Sequence, residues 1–281
     1  MTPLVIYTDL DGSLLDHHTY SFAAAEPLLG ELAASSIPVV PCTSKTRAEL
    51  SVFRHRLGNA YPFIIENGSA VYWEAADGSR TAADSERIDT LYRHRFVPAR
   101  EHWRPILEQL GRDLDGCFTP FSAMQVADVV ELTGLSAEEA AAAMQREFGE
   151  AVHWRGSDEQ LQAFSKALRE HGAAVHRGGR FIHVMGPSDK GRALQWLNDH
   201  YNDPGGSAPI SIAIGDGNND VPMLEVADYA LLIRSPVNPL PAVDRDSGLF
   251  VSQEPGPAGW QQGLRDIFAH INFSLGGIVD G

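Results

Sequence analysis

The residues of this chain best suited to chemistry are carboxylates placed where apolar runs stop. Asp9-Leu10-Asp11-Gly12-Ser13 follows Leu4-Val5-Ile6-Tyr7, and Gly215-Asp216-Gly217-Asn218-Asn219-Asp220 follows Ile210-Ser211-Ile212-Ala213-Ile214. One Asp-rich turn alone is ordinary Asx-turn chemistry. Two such strings bring three or four carboxylates to one sheet edge if their strands are neighbours. Like charges crowded in this way are costly unless a cation neutralises them. A carboxylate such as Asp9 can attack phosphorus and form an aspartyl-phosphate, dividing hydrolysis into two easier steps. Asp11 suits proton transfer, first to the leaving oxygen and then from the attacking water. Gly12 lets the chain turn away and leaves backbone amides for phosphate oxygens. Magnesium suits an all-oxygen site with few protein ligands, and would join Asp9, Asp216 and a phosphoryl oxygen as template and Lewis acid.

Two further positions complete a phosphoryl-transfer site. Thr43 closes a second apolar run and can donate its hydroxyl to phosphate; the same residue would also serve as a helix N-cap. Lys190, in Ser188-Asp189-Lys190-Gly191, can set a positive charge beside nucleophile and phosphate. A lysine in a first helical turn is equally at home in solvent.

The elements that must hold these residues read as α/β. A helix opens at Glu26-Pro27, with proline in its first turn. Ile37–Cys42 reads as a second strand, weakened by its prolines. A helix over Thr43–Leu57 ends at Gly58, and Pro62–Ile65 is a third strand that ends in Glu66-Asn67-Gly68. Strands alternating with helices predict a parallel sheet with ligands beyond its carboxyl ends, where Asp9, Thr43, Asn67 and Asp216 fall. The middle of the chain differs. Val126–Leu132 reads as a strand. Ser136 and Glu139 form a capping box for an alanine-rich helix to Phe148, and Ser157 and Gln160 form another. Ala151–Trp154 is a strand, and Gly178-Gly179 reads as the turn of a hairpin. This is an α+β insertion at residues 87–186 within a core made of 1–86 and 187–281. The α/β pattern resumes with a helix from Ser188 to His200 and strands at Ile210 and Tyr229.

The 281 residues are 43% hydrophobic and 21% charged, an ordinary globular composition. There is no apolar run of membrane-spanning length. No basic n-region precedes a hydrophobic stretch at the N-terminus, and two cysteines make no disulfide framework; a cytoplasmic location is the expectation. The formal net charge of −15 argues against nucleic acid or an anionic membrane as partner.

The order of a DxDG strand end, a threonine strand end, an SDKG lysine and a GDGNND turn resembles the haloacid dehalogenase superfamily of phosphohydrolases. Within it, Asp9–Tyr20, Cys42–Thr46, Glu66–Gly68, Leu132–Leu135, Arg146-Glu147 and Gly179–His183 resemble the mannosyl-3-phosphoglycerate phosphatase family. The resemblance implies a Rossmann-like parallel-sheet core with an inserted α+β cap of the C2 type. It implies a magnesium-dependent phosphatase acting on a small phosphorylated sugar-glycerate, mannosyl or glucosyl. Asp9, Asp11, Thr43 and Lys190 are then the expected catalytic residues, and Asp9, Asp11 and Asp216 the expected metal ligands. Ser44, Lys45, Asn67, Arg180 and His183 are the expected substrate contacts, with Arg180 on the glycerate carboxylate; Arg146, His17 and His18 are further candidates. Ser44-Lys45 replaces the Gly-Arg of general sugar phosphatases, and Ile182 stands where an aromatic residue is usual. A broader sugar phosphatase and a phosphosugar mutase share this chemistry. A non-catalytic phosphosugar-binding protein would need no nucleophile.

Overall fold

The computed structural model describes residues 3–74, 84–114, 116–177, 181–200 and 208–275. The elements in chain order begin with β1 (Leu4–Thr8), α1 (Glu26–Ala34), β2 (Val39–Pro41), α2 (Arg47–Leu57), β3 (Phe63–Ile65) and β4 (Ala70–Glu74). There follow β5 (Glu86–Ile88), β6 (Leu91–Arg95), α3 (Arg104–Asp113), β7 (Phe118–Pro120), α4 (Val126–Thr133) and α5 (Ala137–Ala143). Next come β8 (Glu150–Trp154), α6 (Asp158–Glu170), β9 (Ala174–Arg177), β10 (Ile182–Met185) and α7 (Lys190–His200). The chain closes with β11 (Ile210–Gly215), α8 (Val221–Val226), β12 (Tyr229–Arg234), β13 (Leu249–Pro255) and α9 (Gly256–His270). None of the described helices is long and apolar enough to cross a membrane.

Contacts divide the chain into two compact units. One is drawn from the residues before Ser44, from Ala60–His94 and from Asp189 onward; the other from Ser44–Asn59 and Arg95–Ser188.

The first unit is built on a parallel sheet in the order β13-β12-β11-β1-β2. Every residue of β1 is buried, as a strand flanked on both sides and covered on both faces requires. Thr8 pairs with Pro41 on one side and Ile214 on the other, so the carboxyl ends of three strands finish side by side. The first connection, through α1, adds β2 to one side of β1, and the later strands build out on the other. The switch point of the sheet therefore lies at β1, where such folds bind ligands. β2 is only three residues long, because Pro38 and Pro41 lack the N–H a longer ladder needs. β3, expected as a third parallel strand, meets this sheet through one parallel bridge, Cys42 to Ile64. It pairs antiparallel with β4 and opens a second sheet in the order β3-β4-β6-β5.

The second unit carries an antiparallel sheet in the order β7-β8-β10-β9. Val152, Ile182 and Val184 pack against Trp103, Leu107, Phe164 and Leu168, and Ala151 packs with Phe121, Val129 and Ala140. β9 and β10 form the expected antiparallel pair; the turn at Gly178-Gly179 lies outside the described residues.

Three sequence expectations are corrected here. Val126–Leu132 is not a strand but most of α4. Val126, Val129, Val130 and Thr133 recur at helical spacing, Asp128 Oδ2 accepts the Gln125 N–H at 2.7 Å, and left-handed Gly134 ends the helix. The alanine-rich helix stops at Ala143 rather than Phe148, so Arg146 is not helical. Arg100 draws the chain off the helical path: its Nη1 donates to Met144 O at 2.9 Å and its own N–H to Glu147 O at 2.8 Å. The helix expected from Thr43 begins at Arg47, and Thr46, not Thr43, caps it in a box with Glu49.

α9 docks on the edge of the first unit through small residues. A Cβ on Gly259 would lie 1.9 Å from the Glu254 carbonyl oxygen, while one on Gly30, on the exposed face of α1, would meet nothing within 4 Å. Gly259→Ala should therefore lower stability by about 1–3 kcal/mol through overpacking. Gly30→Ala should raise it by about 0.5–1 kcal/mol through helix propensity. Urea denaturation of the two variants would check both signs.

Candidate active site

Asp9 follows β1 directly, and its N–H donates to Ile214 O at 2.8 Å, which locks the loop to β11. Lys190, the first residue of α7, is fully buried, and its Nζ donates to Asp9 Oδ1 and Asp220 Oδ1, both at 2.6 Å. Asp220 is buried as well. Its other oxygen, Oδ2, accepts the Asp216 N–H at 3.0 Å and the Gly217 N–H at 2.9 Å, folding the GDGNND turn around its own carboxylate. Asp9, Asp216 and Asp220 each bring an oxygen within 4.8 Å of the others.

Close backbone approaches make this crowding possible. A Cβ on Gly215 would sit 2.3 Å from the Asp220 Cβ, and one on Gly12, at φ +84, would sit 2.5 Å from Asp216 Oδ2. The loop after β1 is thereby pressed against the loop after β11. Gly12 N–H donates to Leu15 O and Leu15 N–H to Leu10 O, so the chain doubles back immediately beyond Asp11.

Thr43 is buried at the end of β2, with its N–H on Ile64 O and its carbonyl accepting the Asn67 N–H. Glu66, Asn67 and Gly68 all take positive φ. Gly68 cannot be replaced without movement, since a Cβ there would lie 2.1 Å from Asp189 O. Asn67 Oδ1 accepts from Asn219 Nδ2 at 3.3 Å. Asp9, Asp11, Thr43, Asn67 and Asp216, in loops, and Lys190, at the start of α7, thus belong to one unit. Asp220 was not singled out from sequence, although it ends the string that carries Asp216. The signal was Pro222 in the first turn of α8, which marks Asp220 as the residue just before a helix.

Electrostatics follow from one ammonium facing three carboxylates. Burial by itself would lower the Lys190 pKa, but Asp220 and Asp9 outweigh it and hold the amine charged well above its ordinary range. Burial and then the charge of Asp220 push the Asp9 carboxyl up, against the pull of Lys190. Asp216 is raised by burial, then by Asp220, to about 6. Asp11 adds to the repulsion on both Asp9 and Asp216. The donor set is all oxygen and carries excess negative charge, which fits a hard divalent cation such as magnesium. Asp11, expected among the ligands, is not one of the three grouped carboxylates; Asp220 is. The Cys42 thiol is fully buried and pushed far up by burial, so it is not a nucleophile.

Of the other expected contacts, Ser44, Lys45, Arg146 and His183 belong to the second unit. Ser44 is exposed and Lys45 half-buried, its charge felt by Glu139. His183 lies in β10, opposite Ala151 and His176. Burial, then Arg146 and His176, lower its pKa to about 4, so at neutral pH it is an uncharged imidazole. Arg146 is half-buried in the segment after α5. Arg180 lies outside the described residues. His17 and His18 are exposed.

Residues 137–235, which include Lys190, Asp216 and Asp220, match the family model described as haloacid dehalogenase-like hydrolase. Solved structures agree over nearly the whole chain. A sucrose-phosphatase from Synechocystis sp. PCC6803, in complex with sucrose and phosphate, aligns with a TM-score of 0.55 and 17% identity over 97% of this chain and 99% of that one. A phosphatase of the haloalkanoate enzyme superfamily from Bacteroides thetaiotaomicron aligns at 0.63 and 18%, over 96% of both chains. The subclass IIB sugar phosphatase BT4131 aligns at 0.60 and 14%, over 96% and 99%. The chain has the fold of the haloacid dehalogenase-like hydrolases.

The raised carboxyls set the sign of a pH effect. A carboxyl raised on folding contributes stability that is complete below its unfolded pKa and lost as pH climbs through its folded one. For Asp216, with an ordinary value of 3.8 and a folded one of about 6, that window is about pH 4 to 6. The melting temperature of chelator-treated protein should fall across this window, and Asp216→Asn should flatten the fall. Added magnesium should raise the melting temperature more at pH 7 than at pH 4. Scanning calorimetry at four pH values would read all three.

Proposed function

We propose that this chain, with its haloacid dehalogenase-like fold, is a magnesium-dependent phosphatase that releases phosphate from a glycosyl-3-phosphoglycerate. The observation that carries the reading is the buried Lys190 held between Asp9 and Asp220 at the carboxyl end of β1. A merely structural lysine gains nothing from burial among carboxylates that outnumber it. A phosphoryl group, which brings more negative charge, explains why an ammonium and a place for a cation stand beside a strand-end carboxylate.

The reaction follows from the positions of the chain's own residues. An Asp9 oxygen attacks phosphorus as the bond to the sugar-glycerate oxygen breaks, and Asp11 gives that oxygen its proton. Asp11, now a carboxylate, takes a proton from water as the water oxygen attacks phosphorus. The bond from Asp9 to phosphorus breaks, and phosphate leaves with the enzyme restored. Lys190 balances charge on Asp9 throughout and orients it; in this reading the Thr43 hydroxyl holds a phosphoryl oxygen. Magnesium, held by Asp9, Asp216 and Asp220, supplies charge neutralisation and Lewis-acid polarisation when bound.

The glycosyl-3-phosphoglycerate class is supported by the strings Asp9–Tyr20, Cys42–Thr46 and Glu66–Gly68, which resemble one family of such phosphatases. A second reading, a broader sugar phosphatase, is favoured by the neighbours themselves, of which one is a sucrose-phosphatase and another a subclass IIB sugar phosphatase. Phosphate release from mannosyl- and glucosyl-3-phosphoglycerate, hexose 6-phosphates and sucrose phosphate, with and without magnesium, separates them. Hexose phosphates turned over as fast as the glycosyl-glycerates would sink the narrower reading, and no release from any of them would sink both.

Asp9→Asn should abolish most turnover while keeping the fold, since it removes charge at nearly constant volume. Asp11→Asn should harm a sugar phosphate more than an aryl phosphate, whose good leaving group needs no acid. Equal losses on both would remove the proton-transfer role. With His183 neutral, the glycerate carboxylate falls to Arg180 in this reading. Arg180→Ala should lower kcat/KM for the glycosyl-phosphoglycerate by about 10- to 150-fold and leave an aryl phosphate nearly untouched. Steady-state kinetics on the two substrates would decide it.

A further inference from the structure

Behind Asp9, on the side away from the carboxylates, runs a short buried chain of hydrogen bonds that the catalytic reading does not use. The Trp260 indole Nε1 donates to Thr8 Oγ1 at 2.9 Å, and Thr8 Oγ1 donates to the backbone carbonyl of Asp9 at 2.7 Å. Trp260 and Thr8 are fully buried. The direction of the chain is fixed by chemistry. An indole N–H only donates, so the Thr8 hydroxyl must accept from it and turn its own hydrogen to the Asp9 carbonyl.

That carbonyl belongs to the peptide joining Asp9 to Leu10. Orienting this peptide plane sets the backbone angle at Asp9 and starts the turn that carries Asp11. On its other side Asp9 is tied by its N–H to Ile214 O. Asp9 is therefore gripped on both faces of its backbone, by β11 through one bond and by α9 through Thr8. α9 also abuts the turn at its start, where a Cβ on Gly256 would lie 3.6 Å from the Asp16 Cα. Small displacements of a reacting group cost rate rather than binding, up to about 100-fold for 1 Å.

We infer that Trp260 is a positioning residue, which through Thr8 holds the Asp9 nucleophile in line for attack. This rests on the phosphatase reading above. Trp260→Phe keeps an aromatic ring and removes the N–H; Thr8→Val keeps the shape and removes the hydroxyl; Thr8→Ser keeps the hydroxyl. With a turned-over phosphosugar and magnesium, Trp260→Phe should lower kcat by about 10-fold, with KM within about twofold. Thr8→Val should do the same, and the double variant should lose no more than Thr8→Val alone, because both remove one chain. Thr8→Ser should rescue kcat to within about twofold of the parent.

Wild-type kcat in folded Trp260→Phe or Thr8→Val overturns the inference. So do additive losses in the double variant, or a Thr8→Ser as slow as Thr8→Val. Should Trp260→Phe fail to fold, by circular dichroism, the Thr8 pair decides alone. A readout without turnover separates this from failure of the phosphatase reading. The protein has five tryptophans, so its indole N–H signals are few. Thr8→Val should shift and deprotect one of them, and Thr8→Ser should leave it in place. Five unmoved signals in Thr8→Val overturn the relay whether or not the protein releases phosphate. A moved signal in a protein with no phosphatase activity keeps the relay and overturns its catalytic purpose.

Discussion

One ammonium in a dry site governs the architecture around it. Lys190 has given up all its water and is compensated by carboxylates from two other parts of the chain, Asp9 and Asp220. A buried ion group of this kind adds little net stability, yet losing the lysine would be severe, because it would leave carboxylates buried with no opposite charge. The geometry is therefore fixed by need: two carboxylates must reach one nitrogen at 2.6 Å each. That requirement explains the glycines. Gly12, Gly68 and Gly215 each sit where a Cβ would collide with a neighbouring loop or with the carboxylates themselves, and a Cβ on Gly191 would collide with the Pro222 backbone of α8. The loops after β1, after β3 and after β11 can crowd the start of α7 only because these positions carry no side chain.

The second unit handles a buried charge differently. Arg100 and the fully buried Glu150 form a two-pronged pair at 2.9 and 2.6 Å, and Arg100 Nη1 donates to Met144 O. Here one charge is matched by one charge within the structure. The first unit leaves its carboxylates in excess. The contrast between a balanced and an unbalanced cluster locates the chemistry without reference to any relative.

Much of this was legible in the chain itself. Asp9, Asp216 and Thr43 were readable because strand ends are punctuated by polar residues after apolar runs, and because a parallel sheet gathers such ends; Lys190, at a helix start, was readable from the SDKG string and the order of these elements along the chain. Asp220 was passed over because its work is done through the backbone of its own turn, a role that residue type and spacing express poorly. α4 was mistaken for a strand because Val129-Val130 advertises β-propensity locally, while its helical face is decided by what Val129 packs against. The early end of α5 was invisible because Arg100, which imposes it, lies more than forty residues upstream. The switch of β3 from a parallel to an antiparallel neighbour depends on β4, whose sequence carries no clear alternation. The bond from Trp260 to Thr8, through which Asp9 is reached, spans 252 positions, and no local pattern hints at it.

The central place of β1 in its sheet also bears on how the molecule is born. β1 is made first, but its neighbour β11 is made only after some two hundred further residues, and Lys190 stands 181 positions from Asp9. Contacts so distant along the chain carry a high loop-closure cost and form late. During synthesis the four strands of the inserted unit, whose partners are near one another, are complete while β1 still lacks one edge. Asp9 is therefore made long before the partners that bury it. It enters the dry site only when the lysine and the last carboxylate arrive together from the ribosome's final third of the message. The buried cluster of Lys190 and its carboxylates is thus the closing event of assembly, and a chain truncated before β11 would have the strands of the second unit but neither Asp216 nor Asp220.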